Sequence, residues 1–223
     1  MKKYALIALA LVALSSNKLS AQSESGMYGG VNFMPTLTSF EVRGIDNGVA
    51  KGEFAIGYGF GAQLGYNFNK HIATQLEVIY STLSQRYTDA AAERTLNLSY
   101  LHFPLLFRVN SDITRPVNFN VVLGPQFGIN IGADVDADGG AVADTVEAVL
   151  AVKPADFGVA YGAGLNFGLG PNANPKINLG FRGVYGLLDI SDRSQTTATD
   201  QYYILDRSHV KTYAAVLGLT LLF

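Results

Sequence analysis

The chain has 223 residues, 48% of them hydrophobic and only 15% charged, with a formal net charge of −2. That balance supplies no basic face for nucleic acid, so no nucleic-acid partner is expected. The absence of Cys excludes disulfides, thiol catalysis, Cys-based zinc sites and a lipid-modified amino-terminal Cys.

The amino-terminal residues read as a leader. Lys2 and Lys3 precede the apolar run Tyr4 to Leu14, and Leu19-Ser20-Ala21 ends on a small residue. This is the pattern of a secretory signal peptide over residues 1–21, leaving 22–223 as one barrel-sized domain. The apolar run is too short to cross about 30 Å of hydrocarbon as a helix. No later segment is a transmembrane-helix candidate. A mature chain that lives in a membrane must therefore cross it with strands.

Eight segments follow whose side chains alternate with a period of two, the period of a strand. The first is Met27–Thr36. The second, Glu53–Phe68, sets Phe54, Ile56, Tyr58, Phe60, Leu64 and Tyr66 against glycines and Gln63. The third, His71–Arg86, sets Ile72, Leu76, Val78 and Tyr80 against Ala73, Gln75, Glu77 and Ser81. The fourth, Leu96–Asn110, sets Leu101, Phe103, Leu105, Phe107 and Val109 against Tyr100, His102, Pro104 and Arg108. Leu96 and Leu98 are out of phase with that row, which predicts a bulge near Ser99–Leu101. The fifth and sixth, Val117–Gly132 and Phe157–Leu169, alternate large apolar residues with Gly, Asn and Gln. The seventh, Ile177–Ile190, sets Ile177, Leu179 and Phe181 against Asn178, Gly180 and Arg182. The eighth, His209–Phe223, carries the row Tyr213, Ala215, Leu217, Leu219, Leu221 and Phe223.

Between them the connectors differ in length. Long ones are expected at 37–52, 133–156 and 191–208, with a loop at 88–95. Short ones are expected at Asn69-Lys70, Ser111–Pro116 and Gly170–Lys176. Long connectors at one end and short ones at the other suit an outer-membrane barrel. A soluble ligand-binding barrel would invert the pattern and solubilise its outer face with Lys, Glu and Thr. Here the small-polar set is Gly, Asn and Gln, which suits the crowded inside of a narrow barrel. The reading is an all-β fold, an eight-stranded antiparallel up-and-down transmembrane β-barrel with short periplasmic turns and long extracellular loops. Its place is the bacterial outer membrane, with outer-membrane lipid as its surroundings.

Glu77, Arg108, Arg182, His102 and Tyr100 fall on the inward set and form a candidate polar network in the lumen. Because unpaired buried charge is costly, Glu77 is expected to pair with at least one of the two arginines. The run Asp134-Val135-Asp136-Ala137-Asp138-Gly139 resembles the start of a calcium loop, where alternate carboxylates converge on a hard cation. Position twelve of such a loop is Thr145 instead of an acid, so calcium is only a candidate cofactor on Asp134, Asp136 and Asp138. No nucleophile elbow, metal-binding His pair or phosphate loop is present, and His71, His102 and His209 lie on three different segments. Ser208, His209 and Asp206 are adjacent polar residues near a barrel mouth, the weak basis for a lipid-hydrolase alternative. The chain is read as non-enzymatic.

Two resemblances add to this. Residues Val216 to Phe223 resemble the carboxy-terminal signal read by the outer-membrane insertion machinery, through Gly218, Leu221 and Phe223; Val216 departs from its usual polar first position. The run Tyr100-Leu-His-Phe-Pro-Leu-Leu-Phe-Arg108 resembles the Y-L-x-x-P-L-L-x-K/R signature of the PorT-like outer-membrane barrel family of Gram-negative bacteria. Gly29-Gly30-Val31-Asn32-Phe33 and Leu123-Gly124-Pro125-Gln126-Phe127-Gly128 resemble that family's first and mid-barrel strands. The resemblance implies an eight-stranded porin-like small barrel with no catalytic residues to carry over. It also implies that subunits of a secretion or gliding apparatus are possible partners.

Overall fold

The computed structural model describes residues 25–39, 41–43, 49–51, 55–89, 92–138, 155–169, 173–188 and 211–223. Among the described residues there are ten strands: β1 Gly26–Ser39, β2 Glu41–Arg43, β3 Val49–Lys51, β4 Ala55–Asn67, β5 Ile72–Asp89, β6 Ala92–Asn110, β7 Val117–Asp138, β8 Ala155–Gly168, β9 Lys176–Gly186 and β10 Lys211–Leu222. Eight of them close a barrel in the order β1-β10-β9-β8-β7-β6-β5-β4, while β2 and β3 form a separate two-stranded sheet. Every neighbouring pair in the barrel is antiparallel. The closure lies between β1 and β10, in register from Tyr28↔Leu222 to Ser39↔Lys211. The proposed leader, residues 1–21, lies outside the described residues.

Alternation sorts the side chains as the strand period demands. The outward rows carry large apolar groups left uncovered by protein, such as Val31, Phe60, Leu64, Val78, Leu105 and Leu123. Aromatic residues bound this belt. Tyr58 packs edge-on to Phe60 at 5.8 Å, and Tyr66 packs edge-on to Phe68 at 5.3 Å. The eight steps from Tyr58 to Tyr66 span roughly 27 Å of strand, or about 21 Å along the barrel axis at a tilt near 40°. This matches the apolar height of an outer-membrane barrel, about 25 Å.

At the end holding the short turns, side chains fold over the mouth. Asn69 accepts hydrogen bonds from the amides of His71 and Ile72 at 2.8 and 2.9 Å, an Asx turn that tightens the β4–β5 connection. The β6–β7 turn tucks Ile113 inward, buried to 7% exposure, with its amide on the Lys70 carbonyl at 3.1 Å. Lys176 is buried and donates its ammonium to the Ile113 carbonyl.

Several boundaries differ from the sequence expectation. β1 continues to Ser39, and the expected 37–52 connector contains the β2–β3 hairpin. The expected loop at 88–95 is mostly strand, because β5 and β6 pair as far as Asp89↔Ala92. Residues 133–138, expected in the long connector, belong to β7 and pair with β6 from Leu98 to Glu93. Long paired hairpins satisfy backbone polar groups beyond the apolar belt, and their polar sequences hid them from an apolar-alternation reading. The expected bulge is present, but on the facing strand. Ser99 pairs with Gly132 and Tyr100 with Asn130, so Ile131 of β7 is the extra residue. β6 itself keeps its phase: Leu98 and Tyr100 both face the lumen, at 3% and 4% exposure. Leu98 is paired with Leu83, also buried, so the apolar pair covers itself.

Two measurements test this arrangement. Val78 lies midway along the lipid-facing row, so Val78→Arg is expected to cost about 2–4 kcal/mol, and Val78→Leu almost nothing, in chemical unfolding from lipid vesicles. In the β6–β7 turn, the hydroxyl and amide of Thr114 donate to Asp112 at 2.6 and 2.9 Å. They hold its carboxyl below the usual carboxylate range. The contribution is therefore present above the ordinary Asp pKa of about 3.9 and fades as pH falls through the lower folded value. Thr114→Ala is expected to move the Asp112 carboxyl resonance midpoint upward in an NMR titration.

Candidate functional site in the barrel lumen

The lumen is built from the inward rows of all eight strands. Eight strands spaced about 4.8 Å apart and tilted about 40° give a backbone-to-backbone width of roughly 16 Å, enough for side chains and little else. β5 contributes Gln75 and Glu77, β6 contributes Tyr100, His102 and Arg108, and β9 contributes Arg182. β5 and β9 are four strands apart in either direction around the ring, so Glu77 and Arg182 face each other across the full width. An extended Arg and a Glu, joined by hydrogen bonds, bridge that gap.

The bridge is a two-pronged ion pair. Arg182 donates from Nη1 to Glu77 Oε2 and from Nη2 to Glu77 Oε1, both at 3.0 Å. Glu77 is 1% exposed and Arg182 5%. Charge-assisted, bidentate geometry of this kind is the strongest form of a protein hydrogen bond, and in a water-poor lumen each partner requires the other.

Arg108 bonds Asn110, Gln75 and Asn166 instead of Glu77. It joins the same network one residue away. Its Nη1 donates to Gln75 Oε1 at 3.0 Å, and Gln75 in turn donates its amide to Glu77 Oε1. Arg108 Nη2 donates to Asn166 Oδ1 at 2.9 Å and Nε to Asn110 Oδ1 at 3.2 Å. Asn166 passes on to Asn118 at 2.6 Å. Tyr28 completes this layer: its hydroxyl donates to Gln75 Oε1 at 2.9 Å, and its ring lies 5.8 Å from the Arg108 guanidinium carbon. Gly65 pairs with Tyr28 across β1 and β4, and a Cβ there would fall 2.2 Å from the Tyr28 ring. Only a residue without a side chain leaves room for Tyr28 to enter the lumen. Beside this cluster, Asn32 donates to Gln63 at 3.1 Å and Gln63 to Thr220 at 2.7 Å.

The remaining expected residues sit higher. The rings of Tyr100 and His102 stack at 5.5 Å, and His102 Nδ1 lies 3.3 Å from the Gln126 amide nitrogen. Neither is hydrogen-bonded to the Glu77–Arg182 pair, although both line the same cavity as Arg182. Small apolar clusters also occupy inward positions. Met34, Ile79 and Ala214 form one, with Val216 against it; Leu106, Val122 and Ala160 form another, with Val184 against it. Sequence reasoning missed these, and it missed Tyr28, Asp156 and Lys176. Alternation marks an inward position but not its partner. The large Tyr28 in an otherwise small inward row was the one available signal.

Asp134, Asp136 and Asp138 have strand backbone opposite Asn97, Thr95 and Glu93, whereas the calcium-loop reading placed them in a turning segment. Gly139 and the residues after it lie outside the described residues, as do Asp206, Ser208 and His209. Among the described residues no group of three or more acidic or His side chains is placed to hold a metal ion. Gly218, Leu221 and Phe223 lie at the closing edge: Gly218 pairs with Asn32, Leu221 with Gly29, and the Phe223 amide donates to the Met27 carbonyl at 2.9 Å. The Phe223 ring lies over Gly29.

Residues 16–192, well over half of the chain, match the family model described as outer membrane protein beta-barrel domain. Among solved structures, the outer membrane protein OprG from Pseudomonas aeruginosa aligns with a TM-score of 0.55 at 12% identity, over 91% of this chain and 98% of that one. Neisserial surface protein A aligns with a TM-score of 0.49 at 14% identity, over 90% of this chain and 100% of that one. The OprG likeness is one of fold. No curated protein matches the chain.

The strut across the lumen predicts strong coupling. Glu77→Ala strands the Arg182 guanidinium and is expected to cost about 3–5 kcal/mol. A double change of Glu77 and Arg182 to Leu is expected to cost less than Glu77→Ala alone. Unfolding midpoints of the two single variants and the double variant in detergent or vesicles measure the difference.

Proposed function

Because this chain belongs to the outer membrane protein beta-barrel domain family, we propose that it serves as a non-enzymatic barrel whose lumen is shut by its own side chains. Its role is then structural or carried by its outward connectors, the longest of which join β7 to β8 and β9 to β10. The observation that carries this reading is the Glu77–Arg182 bridge, both of whose ends are buried. Beneath it the Arg108–Gln75–Asn166 layer fills the cross-section, leaving voids of about 40 and 20 Å³ on that side. Such a space admits a few waters and no passing solute. Ile113 and Lys176 then cover the periplasmic mouth.

Kinship with PorT-like barrels is the finer reading, and it rests on the Tyr100–Arg108 run. Two positions of that run have structural duties. Pro104 is fully buried in the lumen and Arg108 anchors the amide layer. These duties support a shared way of filling the barrel. A place as accessory subunit of a secretion or gliding apparatus is the corresponding alternative, and stoichiometric partners co-purifying with the tagged chain from native membranes would favour it. The carboxy-terminal Gly218, Leu221 and Phe223 would serve recognition by the insertion machinery.

Conductance tests the closed-lumen reading. The reconstituted protein is expected to give no steady current in planar bilayers. Glu77→Ala combined with Arg182→Ala and Arg108→Ala, which removes the bridge and the guanidinium that holds the layer beneath it, is expected to give a small, resolvable one. Steady conductance of the unaltered chain would overturn the reading.

A further inference from the structure

Among the described residues, the periplasmic half of the lumen holds two buried cations and no carboxylate left to pair with them. Arg108 is 8% exposed and Lys176 5%. Glu77 is already paired with Arg182 at 3.0 Å. Asp112 acts on Lys176 from the β6–β7 turn, but its carboxylate is held by Arg115 at 3.6 Å and by the Thr114 hydroxyl at 2.6 Å. Arg108 bonds only neutral carboxamides, those of Gln75, Asn110 and Asn166, and Lys176 bonds the Ile113 carbonyl. Neutral oxygens satisfy N–H groups but leave the charge itself uncompensated, and a buried charge without a counter-charge is costly.

The two cations are tied to one place. Arg108 Nε bonds the Asn110 carboxamide, and Lys176 bonds the carbonyl of Ile113, a short step further along the same chain segment. They lie near enough for their like charges to act on one another. Both line one cavity of about 20 Å³, and so do their acceptors Asn110, Asn166 and Ile113. The cavity therefore lies against the guanidinium edge that carries Nε and Nη2, and against the hydrogen bond made by the ammonium. A guanidinium has five N–H groups and an ammonium three, so each cation keeps donors beyond those its protein acceptors use.

We propose that this cavity binds a single chloride ion, held between the Arg108 guanidinium and the Lys176 ammonium. A negative charge there replaces one like-charge repulsion with two attractions. A monatomic anion fits the volume, since a water-sized particle needs roughly 10–15 Å³; the tetrahedral oxyanions sulfate and phosphate do not. The site goes beyond the closed-lumen reading, because the ion enters from the periplasmic mouth and stops short of the bridge.

The test is a sodium chloride titration of the full chain in phosphatidylcholine nanodiscs in gluconate buffer, followed by the chloride NMR linewidth. The unaltered chain is expected to broaden the line saturably. Bromide is expected to displace the ion, and sulfate at equal ionic strength to leave it in place. Lys176→Gln is expected to weaken chloride at least about tenfold, the scale of a hydrogen bond to a charged group. Lys211→Gln removes a lysine at the opposite end of the β9–β10 pair and is expected to leave the affinity unchanged. Folding of both variants is checked by heat-modifiable gel mobility. Where Lys176→Gln does not fold, the unaltered chain decides alone: its unfolding midpoint is expected to rise saturably with chloride over the gluconate background. Broadening without saturation, displacement by sulfate, a midpoint indifferent to chloride, or an unchanged affinity in Lys176→Gln would overturn the assignment and leave a cavity for water alone.

Discussion

A backbone in hydrocarbon has no water to bond, so each N–H and C=O must find its partner within the protein. The seam between β1 and β10 is where this chain meets that requirement. Each of the other barrel strands pairs with neighbours that the local hairpins bring close. The seam instead joins the first barrel strand to the last, from Tyr28↔Leu222 to Ser39↔Lys211. Without it two edges would face lipid, each a row of unpaired polar groups. With it, eight strands form a ring of fixed and narrow width.

The width then dictates what stands inside. Roughly 16 Å between opposing backbones cannot hold large side chains from every strand. Several inward positions are therefore Gly, and Gly65 shows the exchange most directly, since Tyr28 occupies the space its Cβ would need. The same narrowness brings Glu77 and Arg182 within 3.0 Å although they are 105 residues apart in sequence. A wider ring would leave each charge in water. Here the two are forced together, and Gln75, itself held by Arg108, donates a further hydrogen bond to Glu77.

Much of this was legible in the sequence because the barrel uses one rule repeatedly. A period of two sorted Phe60, Leu64, Val78 and Leu123 outward and Gln63, Gln75, Glu77 and Arg108 inward, and the strand count followed from the number of such runs. The rule failed where polarity and direction part company. Leu98 and Leu83 point inward because they cover each other, and a sequence read for apolar-out placed Leu98 out of phase. The irregularity was sensed on β6, but the extra residue is Ile131 on β7, since a bulge is a property of the pairing and not of one strand. Residues 133–138 looked like an acidic loop because strand pairing beyond the apolar belt needs no apolar row. Within the site, the inward direction of Glu77 and both arginines could be read, but the choice of Arg182 over Arg108 could not. That choice depends on which strands lie opposite in the closed ring, a relation no local pattern encodes.

The lumen also differs along its axis, and the difference bears on what each part can do. Below the bridge, amides and guanidinium groups largely bond one another, and Ile113 and Lys176 cover the mouth; this half is a fixed plug. Above it, the Met34–Ile79–Ala214 cluster and the Leu83–Leu98 pair stand among hydroxyls, a carboxylate and an Nε–H that lack partners among the described residues. The apolar groups there exclude the water that would otherwise weaken a polar contact. Arg182 holds Glu77 through two of its nitrogens, and the third, Nε, is buried without a hydrogen-bond partner among the described residues. An arginine so anchored cannot swing away, so the span across the ring is fixed at both ends.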